Sequence, residues 1–199
     1  MNKFYLSVII PAYNEEKNLK LGILDEVEKY LAGVEYSYEV LVVDDGSTDM
    51  TAQLVESQIK NKKDFKLIKN PHGGKANTVI TGLLKAEGEI ALFTDMDQAT
   101  PLSEVEKFFP KFDQGADIVI GSRKGRKGAP ASRQIAAWGF AILRNIILGL
   151  PFKDTQCGFK AFNKKVREVI FPKIKSEWGV LHFQGGAVNA GFDVEVLFF

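Results

Sequence analysis

With 199 residues, 45% of them apolar and 26% charged, the chain has the length and composition of one substantial soluble α/β domain. Its 26 lysines and arginines against 25 aspartates and glutamates leave a formal charge of +1, so no general affinity for polyanions is expected and nucleic acid is not an expected partner. The single cysteine, Cys157, excludes an intrachain disulfide, no Cys/His set has zinc spacing, and reducing surroundings are expected.

A first strand is expected over residues 6–10 (LSVII), ended by Pro11; the apolar run there is too short for a signal peptide or a spanning helix. Leu19, Ile23, Leu24, Val27 and Leu31 recur at helical spacing and predict a helix over 15–31. A second strand follows at 40–43, preceded by Glu39 and stopped by Asp44-Asp45-Gly46. Both strands read as continuous apolar runs, the pattern of interior parallel strands covered by helices on both faces. Ser47-Thr48-Asp49 supplies helix-start residues for 50–59, and a third short strand is expected at 65–68. Asn70-Pro71-His72-Gly73-Gly74 is a turn cluster, 76–86 a helix, and 90–94 the strand that leads into Asp95-Met96-Asp97.

Strands alternating with helices over the first hundred residues predict a doubly wound, mostly parallel α/β sheet flanked by helices. Ligands of such sheets bind at the carboxyl ends of the strands. Residues 11–16, 44–49, 71–75 and 95–100 are those ends and are expected to converge on one crevice.

Further on, 102–112 predicts a helix and 117–120 (DIVI) a strand, followed by Gly121-Ser122-Arg123. Residues 124–132 form a Gly/Lys/Arg/Pro-rich loop with no hydrophobic pattern. The apolar window 135–150 falls short of the roughly 20 residues of a membrane span and is interrupted by Arg144 and Asn145, so a buried or interfacial helix is expected. A turn at 149–155, the stretch Gly-Phe-Lys-Ala-Phe at 158–162 and a helix over 164–171 come next, while 177–191 is glycine-rich and has no clear pattern. Residues 193–199 resume an apolar pattern without cap or tail, as expected of an element that continues past Phe199.

Asp95 and Asp97 stand one residue apart where a strand gives out, and in extended backbone such neighbours point the same way. Two carboxylates facing one site need a counter-ion. Magnesium or manganese answers that need, with a bound diphosphate and water supplying most of the shell. An Asp-rich turn after a strand is the alternative. His72 and His182 match no metal or triad spacing; His72 is expected to be a turn residue, with donor contact as the alternative. Cys157, beside Gly158, is expected in a close-packed turn.

The runs Val8-Ile9-Ile10-Pro11-Ala12-Tyr13-Asn14-Glu15-Glu16, Val42-Val43-Asp44-Asp45-Gly46-Ser47-Thr48-Asp49, Gly73-Gly74-Lys75 and Asp95-Met96-Asp97, in this order and spacing, resemble family 2 glycosyltransferases of the GT-A fold. Gly121-Ser122-Arg123, Asp154-Thr155-Gln156-Cys157-Gly158-Phe159-Lys160 and Gly191-Phe192-Asp193-Val194-Glu195 look like the branch that charges polyprenyl phosphates, and the Asp-Thr-Gln-Cys-Gly-Phe-Lys run is most similar to dolichyl-phosphate glucosyltransferases.

The resemblance implies one GT-A domain over 1–199, with a nucleotide-sugar-binding half (1–100) and an acceptor-binding half (101–199). By it, Pro11, Tyr13, Glu15 and Asp44 line a nucleoside slot with Asp45 nearby, Lys75, Asp95 and Met96 meet the donor, and Asp97 touches a Mg2+ or Mn2+ ion with Asp95 on metal, water or ribose. Each has a plainer alternative: Pro11 ends a strand, the acids cap helices or turns, and Lys75 is a solvated loop lysine. Mannosyl-phosphate relatives carry a metal-holding Gln two positions past the second Asp, where this chain has Ala99.

A polyprenyl phosphate acceptor arrives anionic and needs cations rather than a base; Arg123, Arg126 and Arg133 are the candidates, because guanidinium matches phosphate oxygens bidentately. Asp193 stands where the family often places its catalytic carboxylate, although 181–190 is longer than the usual spacing; with a phosphate acceptor it would instead orient basic side chains or the sugar. Asp97, Arg123 and Asp193 are thus the catalytic candidates.

The implied reaction is inverting, metal-dependent transfer of a hexose, glucose first, from a UDP-sugar (ahead of a GDP-sugar) to a polyprenyl phosphate. The implied setting is peripheral, on the cytoplasmic face of a membrane, with 124–132 and 135–150 toward the bilayer. A saccharide or protein hydroxyl acceptor with Asp193 as base, and a non-catalytic nucleotide-sugar-binding domain, are the alternatives. Nicotinamide binding is a poor alternative, since no Gly-x-Gly-x-x-Gly follows the first strand.

Overall fold

The computed structural model describes residues 3–122 and 157–181. The candidates Arg123, Arg126, Arg133 and Asp193, the loop at 124–132, the apolar segment at 135–150 and the terminal segment at 193–199 lie outside them.

Six strands form one sheet: β1 (Phe4–Ala12), β2 (Tyr38–Asp44), β3 (Phe65–Lys69), β4 (Gly88–Thr94), β5 (Ile118–Ile120) and β6 (Phe159–Asn163). Their order is β3-β2-β1-β4-β6-β5. β1 to β4 pair in parallel, with Ile9 opposite both Leu41 and Phe93, whereas β6 runs antiparallel to β4 and β5. The sheet is therefore mostly parallel, as expected.

Helices sort by face. α1 (Glu16–Lys20), α2 (Ile23–Leu31), α3 (Thr51–Ile59) and a 3-10 segment (Leu102–Lys107) bury Leu19, Leu24, Val27, Val55 and Val105 against Val8, Ile10, Val42 and Leu92. α4 (Gly74–Lys85) and α6 (Lys164–Leu181) bury Val79, Leu83, Ile170 and Phe171 against Ile9, Val43, Phe93 and Phe162. Side chains of successive strand residues point to opposite faces, so each central strand must be apolar throughout to serve both layers. Gly82 lets α4 lie close on β1: a Cβ there would meet Ile9 Cγ2 at 2.4 Å.

Because the chain moves outward from β1 to β2 and β3, then returns to place β4 on the other side of β1, the order reverses between β1 and β4. A crevice opens at such a switch point, outside the carboxyl ends of the strands.

Three segments differ from expectation. Residues 15–31 form two helices because Gly22 takes φ 84° and its carbonyl starts the second by accepting from Asp25 and Glu26. Residues 102–112 split into the 3-10 segment and α5 (Phe109–Asp113), where Pro110, lacking an N–H, sits in a first turn. The helix expected over 164–171 continues through Pro172 to Leu181.

At the amino edge of the sheet a polar network centres on the fully buried Glu39. Glu39 Oε1 accepts from Ser7 Oγ (2.8 Å) and Glu87 N (2.7 Å), and Oε2 from Lys66 Nζ (3.0 Å). Nearby, buried Arg167 on α6 donates to the carbonyls of Leu83, Ala86 and Gly88, closing the end of α4.

Candidate active site

At the opposite edge, the loops after β1 and β2 are stitched together. Asn14 N donates to Ser47 Oγ (3.0 Å), Glu15 N to Thr51 Oγ1 (2.7 Å) and Glu16 N to Asp49 Oδ2 (3.3 Å), while Thr48 N donates back to Asn14 Oδ1 (2.9 Å). Residues expected only to start a helix thus also fix the backbone that carries Tyr13 and Glu15. Burial pushes the Asp49 carboxyl up, but donation from the hydroxyl and amide of Thr51 and the Glu16 amide outweighs it and holds the group below its ordinary value. Glu16 is lowered as well, first by its hydrogen bond with Lys20 and then by the Met50 amide.

The adjacent aspartates at the end of β2, Asp44 within it and Asp45 just after, are both buried, and both hold turns. The Asp44 carboxylate accepts from Ser47 N (3.4 and 3.3 Å to its two oxygens). Asp45 reaches across to the loop before α4: Oδ1 accepts from Gly73 N and Oδ2 from Gly74 N, each at 2.9 Å, so this carboxylate occupies the helix N-terminus from 28 and 29 residues away. His72 Nδ1 lies 2.9 Å from Asp45 Oδ2, and the His72 ring stacks on Tyr13 with centroids 4.3 Å apart and planes 24° from parallel.

β4 ends at Thr94, and Asp95–Gln98 is a turn closed by Gln98 N donating to Asp95 O (3.2 Å). The strand geometry expected to align the two carboxylates has therefore already ended. Asp97 Oδ1 accepts from Ala99 N (3.0 Å), and Asp95 Oδ1 pairs with Lys75 Nζ at 2.5 Å. Gly158, just ahead of β6, backs the same carboxylate so closely that a Cβ there would lie 2.0 Å from Asp95 Oδ2.

These loops enclose an open cavity of about 520 Å³ at the switch point. Pro11, Tyr13, Glu15, Asp45, Lys75, Asp95, Met96 and Asp97 line it, so eight of the predicted donor and metal residues share one space. Asp44 is not on its wall. Among the described residues no group of three or more His, Cys, Asp or Glu is arranged to hold a metal ion.

The family model described as Glycosyl transferase family 2 matches residues 7–171. The chain belongs to this family. A dolichyl-phosphate beta-glucosyltransferase of Dictyostelium discoideum is 35% identical over 216 residues, covering 100% of this chain and 62% of the relative. This family 2 glycosyltransferase chain therefore spans about three fifths of that relative's length. Among solved structures, glucosyl-3-phosphoglycerate synthase from Mycobacterium tuberculosis in complex with UDP aligns with a TM-score of 0.59 at 23% identity, covering 82% of this chain and 58% of that one. The mannosyltransferase PcManGT from Pyrobaculum calidifontis, in complex with GDP-Man and Mn2+, aligns with a TM-score of 0.57 at 23% identity, over 83% and 46%. These likenesses place the chain in the GT-A fold, the α/β class expected.

In this family 2 glycosyltransferase the cavity wall also includes Ala12, Asn18, His72, Gly74 and Thr78. Asn18 Nδ2 donates to Glu15 Oε2 (2.6 Å), and helical spacing from Glu15 was a local signal for that contact. His72 had only its place in a turn at a strand's carboxyl end to mark it. Gly158 had no local signal at all, since its approach to Asp95 depends on β6 pairing with β4.

Proposed function

We propose that this chain carries the catalytic domain of an inverting hexosyltransferase that moves glucose from UDP-glucose to a polyprenyl phosphate. Residues 1–100 bind the donor and 101–199 the acceptor. One observation carries the reading: the cavity that gathers Tyr13, Lys75, Asp95 and Asp97 at the β1/β4 switch point. The dolichyl-phosphate beta-glucosyltransferase name of the Dictyostelium relative supports the acceptor and sugar; the solved structures of the same fold hold UDP in one case and GDP-Man in another, and the uridine donor is this reading's own choice.

The chemistry follows from the charges. An acceptor phosphate oxygen attacks the anomeric carbon from the face opposite the diphosphate, the bond from that carbon to the diphosphate oxygen breaks, and UDP departs with the electron pair. The attacking oxygen is already anionic, so no general base is required. Arg123, with Arg126 and Arg133, places the lipid phosphate, and Asp193 orients the basic groups or the sugar. Pro11, Tyr13 and Glu15 hold the nucleoside, Asp44 and Asp45 fix the loops beneath it, and Lys75 and Met96 flank the diphosphate.

A divalent metal fits the site by donor type. Asp95 and Asp97 offer hard carboxylate oxygens on one wall, and the shell left over suits phosphate oxygens and water, which Mg2+ and Mn2+ both accept. When bound, the cation supplies positive charge to the departing diphosphate. The Mn2+ of the Pyrobaculum structure supports this assignment.

No helix among the described residues is long and apolar enough to cross a membrane. The lipid acceptor brings the domain to a membrane surface, and we place it at the cytoplasmic face, in keeping with the reducing surroundings expected from its single cysteine.

Incubation with labelled UDP-glucose, Mn2+ and a polyprenyl phosphate tests the reading. Labelled lipid-phosphate sugar is the expected product; label appearing only on an added saccharide would overturn it. Asp193→Asn probes the same question, with substantial residual turnover expected for a phosphate acceptor and near-complete loss for a hydroxyl one.

A further inference from the structure

His72 lies in the cavity, yet neither the charge of the diphosphate nor the two carboxylates at Asp95 and Asp97 call for an imidazole. Its position is nevertheless tightly specified. Gly46 takes φ 70° and packs so near that a Cβ on it would lie 2.8 Å from His72 N, which presses the 70–73 loop onto the 44–46 loop. The ring is then held on two sides. Tyr13 stacks against its face at 4.3 Å, and Nδ1 faces Asp45 Oδ2 at 2.9 Å and Asp45 O at 3.1 Å.

Both atoms facing Nδ1 are acceptors, so Nδ1 carries the hydrogen. In the neutral ring the lone pair is therefore on Nε2, and which nitrogen accepts is decided by the protein rather than by the ligand. Nε2 has no hydrogen-bond partner among the described residues, and the His72 side chain is 58% exposed. A fixed acceptor beside an aromatic face suits a nucleoside, which has a flat ring and N–H and O–H donors on its edges. It does not suit the diphosphate, whose oxygens only accept.

We propose that His72 is a specificity-determining residue for the donor, presenting Nε2 to an N–H or O–H of the nucleoside. The proposal rests on the assignment of the cavity to a nucleotide sugar. Rigidity gives the contact its selectivity: the neutral ring, held by Asp45 and Tyr13, cannot turn to offer a donor instead, so a nucleoside lacking the matching hydrogen leaves a desolvated acceptor unpaired.

Calorimetric titration of UDP, 3-methyl-UDP and 2′-deoxy-UDP into the wild-type chain and His72→Phe tests it. Phenylalanine keeps a ring on Tyr13 and removes both nitrogens. UDP is expected to bind His72→Phe about fivefold to tenfold more weakly, the loss of one hydrogen bond. The wild type is expected to discriminate by a similar factor against one analogue, 3-methyl-UDP if the base is read and 2′-deoxy-UDP if the ribose is, and the variant is expected to lose that discrimination. Loss of discrimination is the readout that a merely structural role would not move. His72→Asn, whose amide can donate to Asp45 and accept from the ligand, is expected to recover part of the affinity. If His72→Phe does not fold, His72→Ala serves the same comparison. UDP affinity in the variant within about twofold of wild type, or unchanged discrimination against both analogues, would overturn the role of His72 while leaving the cavity assignment intact. Failure of the wild type to bind UDP at all would overturn the cavity assignment, and this role with it.

Discussion

At the amino edge of the sheet, the Glu39 carboxylate has no solvent exposure and is met by Ser7, the Glu87 amide and Lys66. At the carboxyl edge, Asp95 faces the cavity with its side chain 38% exposed, paired with a lysine that is itself 52% exposed. Both are acids beside strand termini with a lysine partner, and sequence alone does not separate them. Saturation does. Removing Glu39 leaves Ser7 Oγ and the Glu87 amide without their acceptor, whereas Asp95 has a half-exposed lysine partner at the cavity wall. Asp45 belongs with Glu39 by this criterion although it stands at the carboxyl edge: it is buried, and its oxygens are taken by Gly73, Gly74 and His72. The carboxyl edge is therefore two-tiered, with buried acids fixing loops and more exposed acids facing the cavity.

The largest effect is expected at the saturated end. Glu39→Ala strips buried Ser7 and the Glu87 amide of their acceptor and leaves Lys66 only the longer pair with Glu87 at 3.6 Å, at a cost of roughly 3–5 kcal/mol, or about 10 °C in melting temperature. UDP affinity, measured where the variant is folded, is expected to stay the same; a matching loss of affinity would show that the two edges are not independent. Gly158→Ala is the converse test. Its Cβ would fall 2.0 Å from Asp95 Oδ2, so either the carboxylate or the segment ahead of β6 must move. Turnover of UDP-glucose is expected to drop about 100-fold, the scale of an ångström-sized misplacement, with a smaller change in melting temperature than Glu39→Ala. Turnover within about threefold of wild type would remove Asp95 from the reacting centre.

Much of this arrangement was legible in local sequence. Runs such as LSVII and IALFT are apolar at all but one position, Ser7 and Thr94, because both sheet faces are covered, and from them the parallel pairing and the convergence of four loops followed. Residues 159–163 were harder: Lys160 interrupts the apolar pattern, yet it is buried with Nζ donating to Cys157 O at 2.8 Å, so a charged residue stands inside the sheet. The antiparallel role of β6 depends on β4 and β5, which no short window contains. Likewise, Asp45 acting as an acceptor for the α4 N-terminus and Gly158 shielding Asp95 are contacts across 28 and 63 residues, set by topology rather than by spacing. The helix break at Gly22 was missed for another reason, since five apolar positions at helical spacing outweighed one glycine.

Lys75→Met addresses the exposed tier. Both partners of the Lys75–Asp95 pair are more than a third exposed, so the pair adds about 0–1 kcal/mol to stability and the melting temperature is expected to move by no more than about 3 °C. UDP affinity is expected to fall about tenfold, as a cation is withdrawn from the diphosphate. Unchanged affinity with a large drop in melting temperature would transfer Lys75 to the structural tier.

The smallest effect concerns the clip between the first two loops at the carboxyl edge. Asp49 and Glu16 both have folded pKa values below their ordinary 3.8 and 4.5, Asp49 because hydrogen bonds outweigh its burial and Glu16 through Lys20 and the Met50 amide. A depressed carboxyl adds stability that is complete above its unfolded pKa and is lost as pH falls through the folded one. The contribution is thus whole at pH 6, starts to fade as pH falls through the ordinary 3.8 and 4.5, and is gone only below the folded values. Asp49→Asn, which weakens the acceptor for Glu16 N and Thr51 N, is expected to lower the melting temperature by a few degrees at pH 6 and to approach wild type as pH falls below the ordinary aspartate value. Amide exchange at Asn14–Glu16 should rise in the variant at pH 6 while exchange in β2 beside Glu39 does not, because the clip and the buried network lie at opposite ends of the same strands. Parallel loss of protection at both ends would mean that the edges open as one unit, and the distinction between a saturated and an exchangeable end would hold for ligands only, not for stability.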